Sequence, residues 1–347
     1  MSLSESNSAN PTNTDKNPRR EREIGSLIQQ IRDLADKLAI DDSSRGDLKI
    51  LTRTLRELRY AFKVFSPYRS QHKVTMFGSA RTLPDAPAYQ QAEEFGRRIA
   101  EENWLVITGA ASGIMEAGHL GAGKESSMGL NIMLPFEQGS NSIIEGDPKL
   151  VHMKYFFTRK LMFVKECEAV VCLPGGFGTL DEALEVLTLL QTGKRDMVPV
   201  VLMDAPGGTY WKQFHEYVIN ELLGPKMISP EDLALYLVTD NCDDALNEVT
   251  GFYEVYHSMR YVKKQLVLRL NEAPSDELLD AINQEFSDIL VEGKFEVREA
   301  LPEEDEPEMM DLARLVFYFN RRALGKLRML INCLNARSIE PARRVFP

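Results

Sequence analysis

From residue 73 onward, short runs that are apolar along their whole length alternate with longer stretches of helical periodicity, and this alternation constrains the fold more than any other feature. The runs fall at 74–77, 105–108, 130–134, 169–173, 198–203 and 235–238. The helical stretches lie between them, at 87–102, 113–125, 156–167, 179–193 and 210–223. A strand with one face in water alternates polar and apolar side chains, so a strand apolar throughout needs cover on both faces. Helices between successive strands supply that cover and make the strands parallel, joined by right-handed crossovers. The predicted fold class is α/β, a Rossmann-like doubly wound parallel sheet spanning 71–258, with ligands bound at the carboxyl ends of its strands.

The flanks differ in character. Residues 1–19, rich in Ser, Asn and Thr, read as a disordered tail. A helical arm follows over 20–70. It holds one helix at 21–39, with Ile24, Leu27, Ile28, Ile31, Leu34 and Leu38 in a stripe, and a second at 46–64. Residues 259–347 read as a small C-terminal α+β extension. The expected elements are strands at 265–270 and 295–298, a helix at 275–291, an acidic loop at 302–307 and a long helix at 308–334.

Charge and cysteine usage exclude several function classes. A net charge of -11 and a pI near 5.2 argue against a basic face that would wrap nucleic acid. Cys167, Cys172, Cys242 and Cys333 form no C-x-x-C pair and have no histidine at ligand spacing, so neither a metal site nor a disulfide framework is expected. No apolar run reaches the ~18–20 residues that cross a bilayer, and no leader-like stretch opens the chain. The expected location is cytoplasmic, with no membrane partner.

Glycines and small polar residues gather where three strands end. The turns are Gly78-Ser79-Ala80-Arg81, then Gly109-Ala110-Ala111-Ser112-Gly113, then Pro174-Gly175-Gly176-Phe177-Gly178-Thr179-Leu180-Asp181-Glu182. Glycine lets backbone approach a ligand, and amides at a helix start attract phosphate. Three such turns at one sheet edge point to a phosphate-bearing small molecule. Two familiar motifs fail. The stretch Gly118–Lys124 resembles a P-loop but is followed by Glu125 rather than Ser or Thr, and lies late in a helix. Gly176-Phe177-Gly178 has Asp181 where a dinucleotide fingerprint needs glycine, so NAD is disfavoured.

The pattern Pro-Gly-Gly-x-Gly-Thr-x-x-Glu at 174–182, with Arg159-Lys160 on the preceding helix and the glycine turn at 109–116, resembles the LOG family, whose members often carry a lysine decarboxylase label. The resemblance covers roughly 73–255. It departs at Ala110-Ala111, where many members have glycines, a change expected to narrow or reshape the pocket. The resemblance implies hydrolysis of the N-glycosidic bond of a nucleoside 5′-monophosphate, AMP or a cytokinin ribotide, to free base and ribose 5-phosphate. It also implies a homodimer or higher homo-oligomer. No cofactor is expected: decarboxylation would need pyridoxal phosphate on a lysine, and the sequence offers no convincing site for one.

The residues suit that chemistry. Glu182 is the candidate carboxylate to orient water and stabilise an oxocarbenium-like sugar, and Arg159 is its candidate catalytic partner. Lys160, Gly175, Gly176, Gly178, Thr179, Gly78, Ser79, Arg81, Gly109 and Gly113 are candidate substrate contacts, and Thr188 a candidate contact to the base. Structural readings stand beside these. Thr179-x-x-Glu182 is also the spacing of a capping box. His119 and His152 read as structural, and Met128, Met133 and Met153 as core. A non-catalytic nucleotide or cofactor carrier of the same fold is the alternative function.

Overall fold

The computed structural model describes residues 18–133, 139–304 and 306–341. Of the expected disordered tail, residues 1–17 lie outside that description, and Pro18 already begins α1 (Pro18–Ile40). The chain divides into two compact units, residues 1–56 and 57–347. In the first, α1 is followed by α2 (Arg45–Phe65), which continues into the second unit. Ser44 starts α2: its hydroxyl accepts the Asp47 amide at 3.1 Å, and the Asp47 carboxylate accepts the Ser44 amide at 3.3 Å. Ile24, Leu27, Ile28, Ile31 and Leu34 of the α1 stripe are about half exposed or more.

The second unit is built on a seven-stranded parallel sheet. Its strands are β1 (Lys73–Phe77), β2 (Leu105–Thr108), β3 (Ser127–Ile132), β4 (Leu150–Met153), β5 (Ala169–Cys172), β6 (Val200–Met203) and β7 (Leu237–Thr239). The spatial order is β4-β3-β2-β1-β5-β6-β7. Every residue of β1, β2, β5 and β6 is buried, as two-sided cover requires. The helices are α3 (Pro87–Glu101), α4 (Ile114–Ala122), α5 (Phe156–Glu166), α6 (Phe177–Gln191), α7 (Tyr210–Tyr217) and α8 (Cys242–Gly251). The chain winds outward one way through β1 to β4, then returns to pair β5 on the other side of β1. That reversal is the switch point where ligands lodge in such sheets. β4, not expected from sequence, forms the sheet edge.

A four-stranded antiparallel sheet follows, ordered β10-β11-β9-β8, from β8 (Tyr256–Val262), β9 (Gln265–Leu270), β10 (Leu290–Arg298) and β11 (Ala313–Phe319), with α9 (Asp276–Glu285) and α10 (Leu324–Asn335). The expected helix at 308–334 is wrong: its first half is β11. After Leu315 the run Val316-Phe317-Tyr318-Phe319 is β-branched and aromatic, and pairing with β9 outweighs a helix-compatible spacing. Arg321 turns the chain at φ +60°, and Asn320 braces the turn that enters α10 by accepting the Arg322 and Ala323 amides. The described residues of the expected acidic loop are irregular, but one of its carboxylates is not solvated. Glu304 is buried and accepts from Arg269 and Arg314, themselves buried. Burial would push its carboxyl up, but hydrogen bonds from Arg314, the Leu301 amide and Arg269 bring it down to about 2.

Candidate active site

The three glycine turns meet at the switch point. The Ser79 amide donates to Pro174 O at 3.1 Å, tying the end of β1 to the end of β5. The Ile114 amide donates to Ser79 O at 3.0 Å, bringing in the second turn. Glycine is required by these close approaches. A Cβ on Gly113, which sits at φ +68°, would lie 2.3 Å from Ser79 O. A Cβ on Gly175 would lie 2.2 Å from Thr179 Oγ1 and 3.0 Å from the Ser79 nitrogen. Gly78 is pressed in the same way against Ile114. Gly176 and Gly178, by contrast, open onto space. Among the described residues, no protein group accepts a hydrogen bond from the amides of Gly176, Phe177 or Gly178. These are the amides a helix start leaves for an anion. Tyr210 braces the turn from the side, its hydroxyl donating to Gly175 O at 2.8 Å.

α6 begins at Phe177 with Gly176 as its N-cap, three residues before the N-cap that the Thr179-x-x-Glu182 spacing suggested. Glu182 is therefore the sixth helical residue, beyond capping reach, and no side-chain cap bond is present. This removes the capping-box reading. Glu182 is only 5% exposed, and its Oε2 is buried without a hydrogen-bond partner among the described residues. Burial raises its carboxyl from the usual 4.5 to about 7, against the opposing pull of Lys160 and Arg159. A carboxyl balanced near neutrality is what a general base or acid needs.

α5 supplies the cations. Lys160 Nζ lies 2.6 Å from Glu185, 2.9 Å from Asp181 and 3.7 Å from Glu182. Arg159 stacks its guanidinium over Phe156 at 4.9 Å, and its Nη1 would lie 3.7 Å from a Cβ on Gly109. The second turn and α5 thus close on one place. Arg81 is exposed beside the first turn, its amide held by Ser79 Oγ at 3.1 Å. Thr188 is not brought to the carboxylate. It is exposed, bonds Leu184 O of its own helix at 2.7 Å, and sits roughly 9 Å further along the axis.

The Ala110 departure has a structural outcome. Ala110 adopts φ +58°, a conformation glycine would favour, and its methyl is fully buried with Ile144 and Leu150 rather than facing the turns. Thr108 Oγ1 accepts the Ala110 amide at 2.9 Å, and the Asn141 amide donates to Ala110 O at 2.8 Å. His119 Nε2 lies 3.1 Å from Thr108 Oγ1 and 3.0 Å from Met128 O. Burial lowers its imidazole to about 4, so it is neutral there, which agrees with a structural role. His152 is exposed; Met128 and Met153 are core, whereas Met133 is 46% exposed and is not.

A separate cavity of about 570 Å³ lies where β5 and β6 begin, at the opposite sheet edge, lined by Arg195, Glu168 and Tyr256 among others. Its polar groups mostly satisfy one another: Lys73 pairs with Glu168 at 3.6 Å, and Tyr253 donates to Glu168 O at 2.7 Å.

The fold and the joined turns define an α/β protein whose open helix-start amides gather at its switch point. Residues 109–249 match the family model described as "Possible lysine decarboxylase". A cytokinin riboside 5′-monophosphate phosphoribohydrolase of Mycobacterium tuberculosis is 27% identical over 165 residues, covering 46% of this chain and 84% of that protein. One from Arabidopsis thaliana is 28% identical over 172 residues, covering 48% and 76%. Among solved structures, the molybdenum cofactor carrier protein of Chlamydomonas reinhardtii aligns at 20% identity and a TM-score of 0.35, over 51% of this chain and 94% of its own. Through this α/β region the chain is similar to the phosphoribohydrolases of the LOG family. Among the described residues, no helix is long and apolar enough to cross a membrane.

Proposed function

We propose that the protein is a phosphoribohydrolase that cleaves a nucleoside 5′-monophosphate, AMP or a cytokinin ribotide, to free base and ribose 5-phosphate. The observation that carries this reading is the buried Glu182 carboxyl, balanced near pH 7 one to two turns beyond an open row of helix-start amides. Phosphate held at Gly176, Phe177 and Gly178, with Gly175 and Thr179 shaping the turn, presents the sugar to Glu182. The ionised carboxylate orients and deprotonates water while its charge stabilises the oxocarbenium-like sugar. Arg159 reaches the substrate from beside Gly109. Lys160, engaged with the α6 carboxylates, tunes Glu182 more than it contacts phosphate. Gly78, Ser79 and Gly113 hold the turns together, and Arg81 stands at the rim for phosphate.

The same reading includes a homodimer. Phe156, Phe157 and Leu161 of α5 and Leu184 of α6 are each about half exposed around the Lys160 contacts, an apolar face suited to a second copy. The test of the function is direct. Incubation with a panel of monophosphates should release ribose 5-phosphate from AMP or its prenylated analogue. Tight AMP binding with no base released over hours would favour the carrier alternative.

A further inference from the structure

Glu57 lies on α2, well upstream of the region matched by the family model, and its carboxylate ends at α5. One oxygen accepts the Lys154 amide at 2.9 Å, and the other accepts the Thr158 hydroxyl at 2.8 Å. Glu57 is 4% exposed and Thr158 1%. The N-cap of α5, Tyr155, offers no side-chain bond to the helix start. Glu57 therefore ties the residue before the N-cap of α5 to the side chain of the third helical residue, whose hydroxyl also lies 2.8 Å from Tyr155 O. The two residues after Thr158 are Arg159 and Lys160.

We infer that Glu57 is a positioning residue: by holding the entry to α5 and the side chain of its third residue, it fixes the placement in which Arg159 and Lys160 face Glu182. The inference rests on the proposed reaction for its functional meaning, though not for its geometry. Glu57 is buried with both carboxylate oxygens taken up by protein donors, so it is not offered to substrate. Its bonds instead set the rotation and axial position of the first turn of α5, and the two cations follow immediately. The groups that act on Glu182 are Lys160 and Arg159 from α5, Asp181 and Glu185 from α6, and Cys172 from β5. Only the α5 cations favour its ionised form, so loosening α5 weakens that pull alone.

The test uses full-length Glu57→Gln and Thr158→Val, each removing part of this contact. The Glu182 carboxyl is followed by carbon-13 NMR titration, with its signal assigned through Glu182→Gln, and AMP hydrolysis is measured in parallel. The titration midpoint should move upward by roughly half a pH unit or more in both variants, as expected when opposite charges recede. kcat should fall about tenfold with KM changed little, the pattern of lost catalytic alignment. If Glu57→Gln does not fold, Thr158→Val, which keeps the Lys154 bond, decides the question. Folded variants with the wild-type midpoint and kcat would overturn the inference. If the wild type itself hydrolyses no monophosphate, the proposed function fails, while the titration still judges the positioning role.

Discussion

Lys160 Nζ stands 3.7 Å from Glu182 Oε2 while making shorter contacts of 2.6 Å to Glu185 and 2.9 Å to Asp181. One cation serves three carboxylates, so it restrains Glu182 without neutralising it. Burial wins, and the carboxyl rests near pH 7. Replacing Lys160 with Met leaves Arg159 as the remaining attraction. The acid limb of the kcat/KM profile should then shift to higher pH, with about tenfold less activity at neutrality. A pH–rate series on both proteins checks this.

The raised carboxyl also has a stability signature. A folded-state value of about 7 against an ordinary 4.5 means that the fold favours the protonated form. The protein gains full benefit below pH 4.5 and loses it progressively as pH rises through about 7, by on the order of 3 kcal/mol at most. Glu182→Gln has no such titration. Its melting temperature should equal or exceed that of the wild type at pH 8, and the difference should shrink toward pH 5. Thermal unfolding across that range tests the sign.

The glycine turn separates space from conformation. Gly175→Ala would place a methyl 2.2 Å from Thr179 Oγ1 and 3.0 Å from the Ser79 nitrogen, prying apart the ends of β1 and β5. The expected cost is about 1–3 kcal/mol of stability together with weakened AMP binding. Gly176→Ala meets nothing and has an ordinary backbone, φ -87°. It should fold like the wild type, with weaker AMP binding as its methyl crowds the anion. Calorimetry and thermal melting on the pair distinguish the two effects.

Much of this arrangement was legible in the sequence because it is local. Fully apolar strands announce a two-sided sheet, and a helix start after a glycine turn is written within nine residues, 174–182. What escaped was non-local or ambiguous in period. Glu57 reaches partners 97 and 101 residues away, so no window contains the contact. β4 is a four-residue edge strand with His152 exposed, and lacks the uniform burial of its neighbours. At 308–334 the apolar spacing suits a helix, but the choice between helix and strand at 315–319 was made by β9. The capping-box spacing failed for a different reason: the helix starts three residues sooner than that box requires, and the same four residues acquire different roles.

The C-terminal sheet offers a stability test independent of the active site. Glu304 bonds Arg269 at 2.7 Å and Arg314 at 3.0 Å, all three residues being buried. Glu304→Ala leaves two buried guanidiniums without this partner and should cost about 3–5 kcal/mol. Because the folded carboxyl is held near 2, its contribution is present above pH 4.5 and is lost only as pH falls toward 2. Denaturant unfolding of the variant at neutral pH measures the cost.

The most direct test of the account compares wild type and Glu182→Gln for release of adenine and ribose 5-phosphate from AMP, with AMP binding measured on the same samples. The account predicts that Glu182→Gln loses about 10²–10⁴ in kcat while binding AMP within a few-fold of the wild type and melting no earlier. A folded Glu182→Gln protein that turns AMP over at the wild-type rate would contradict it.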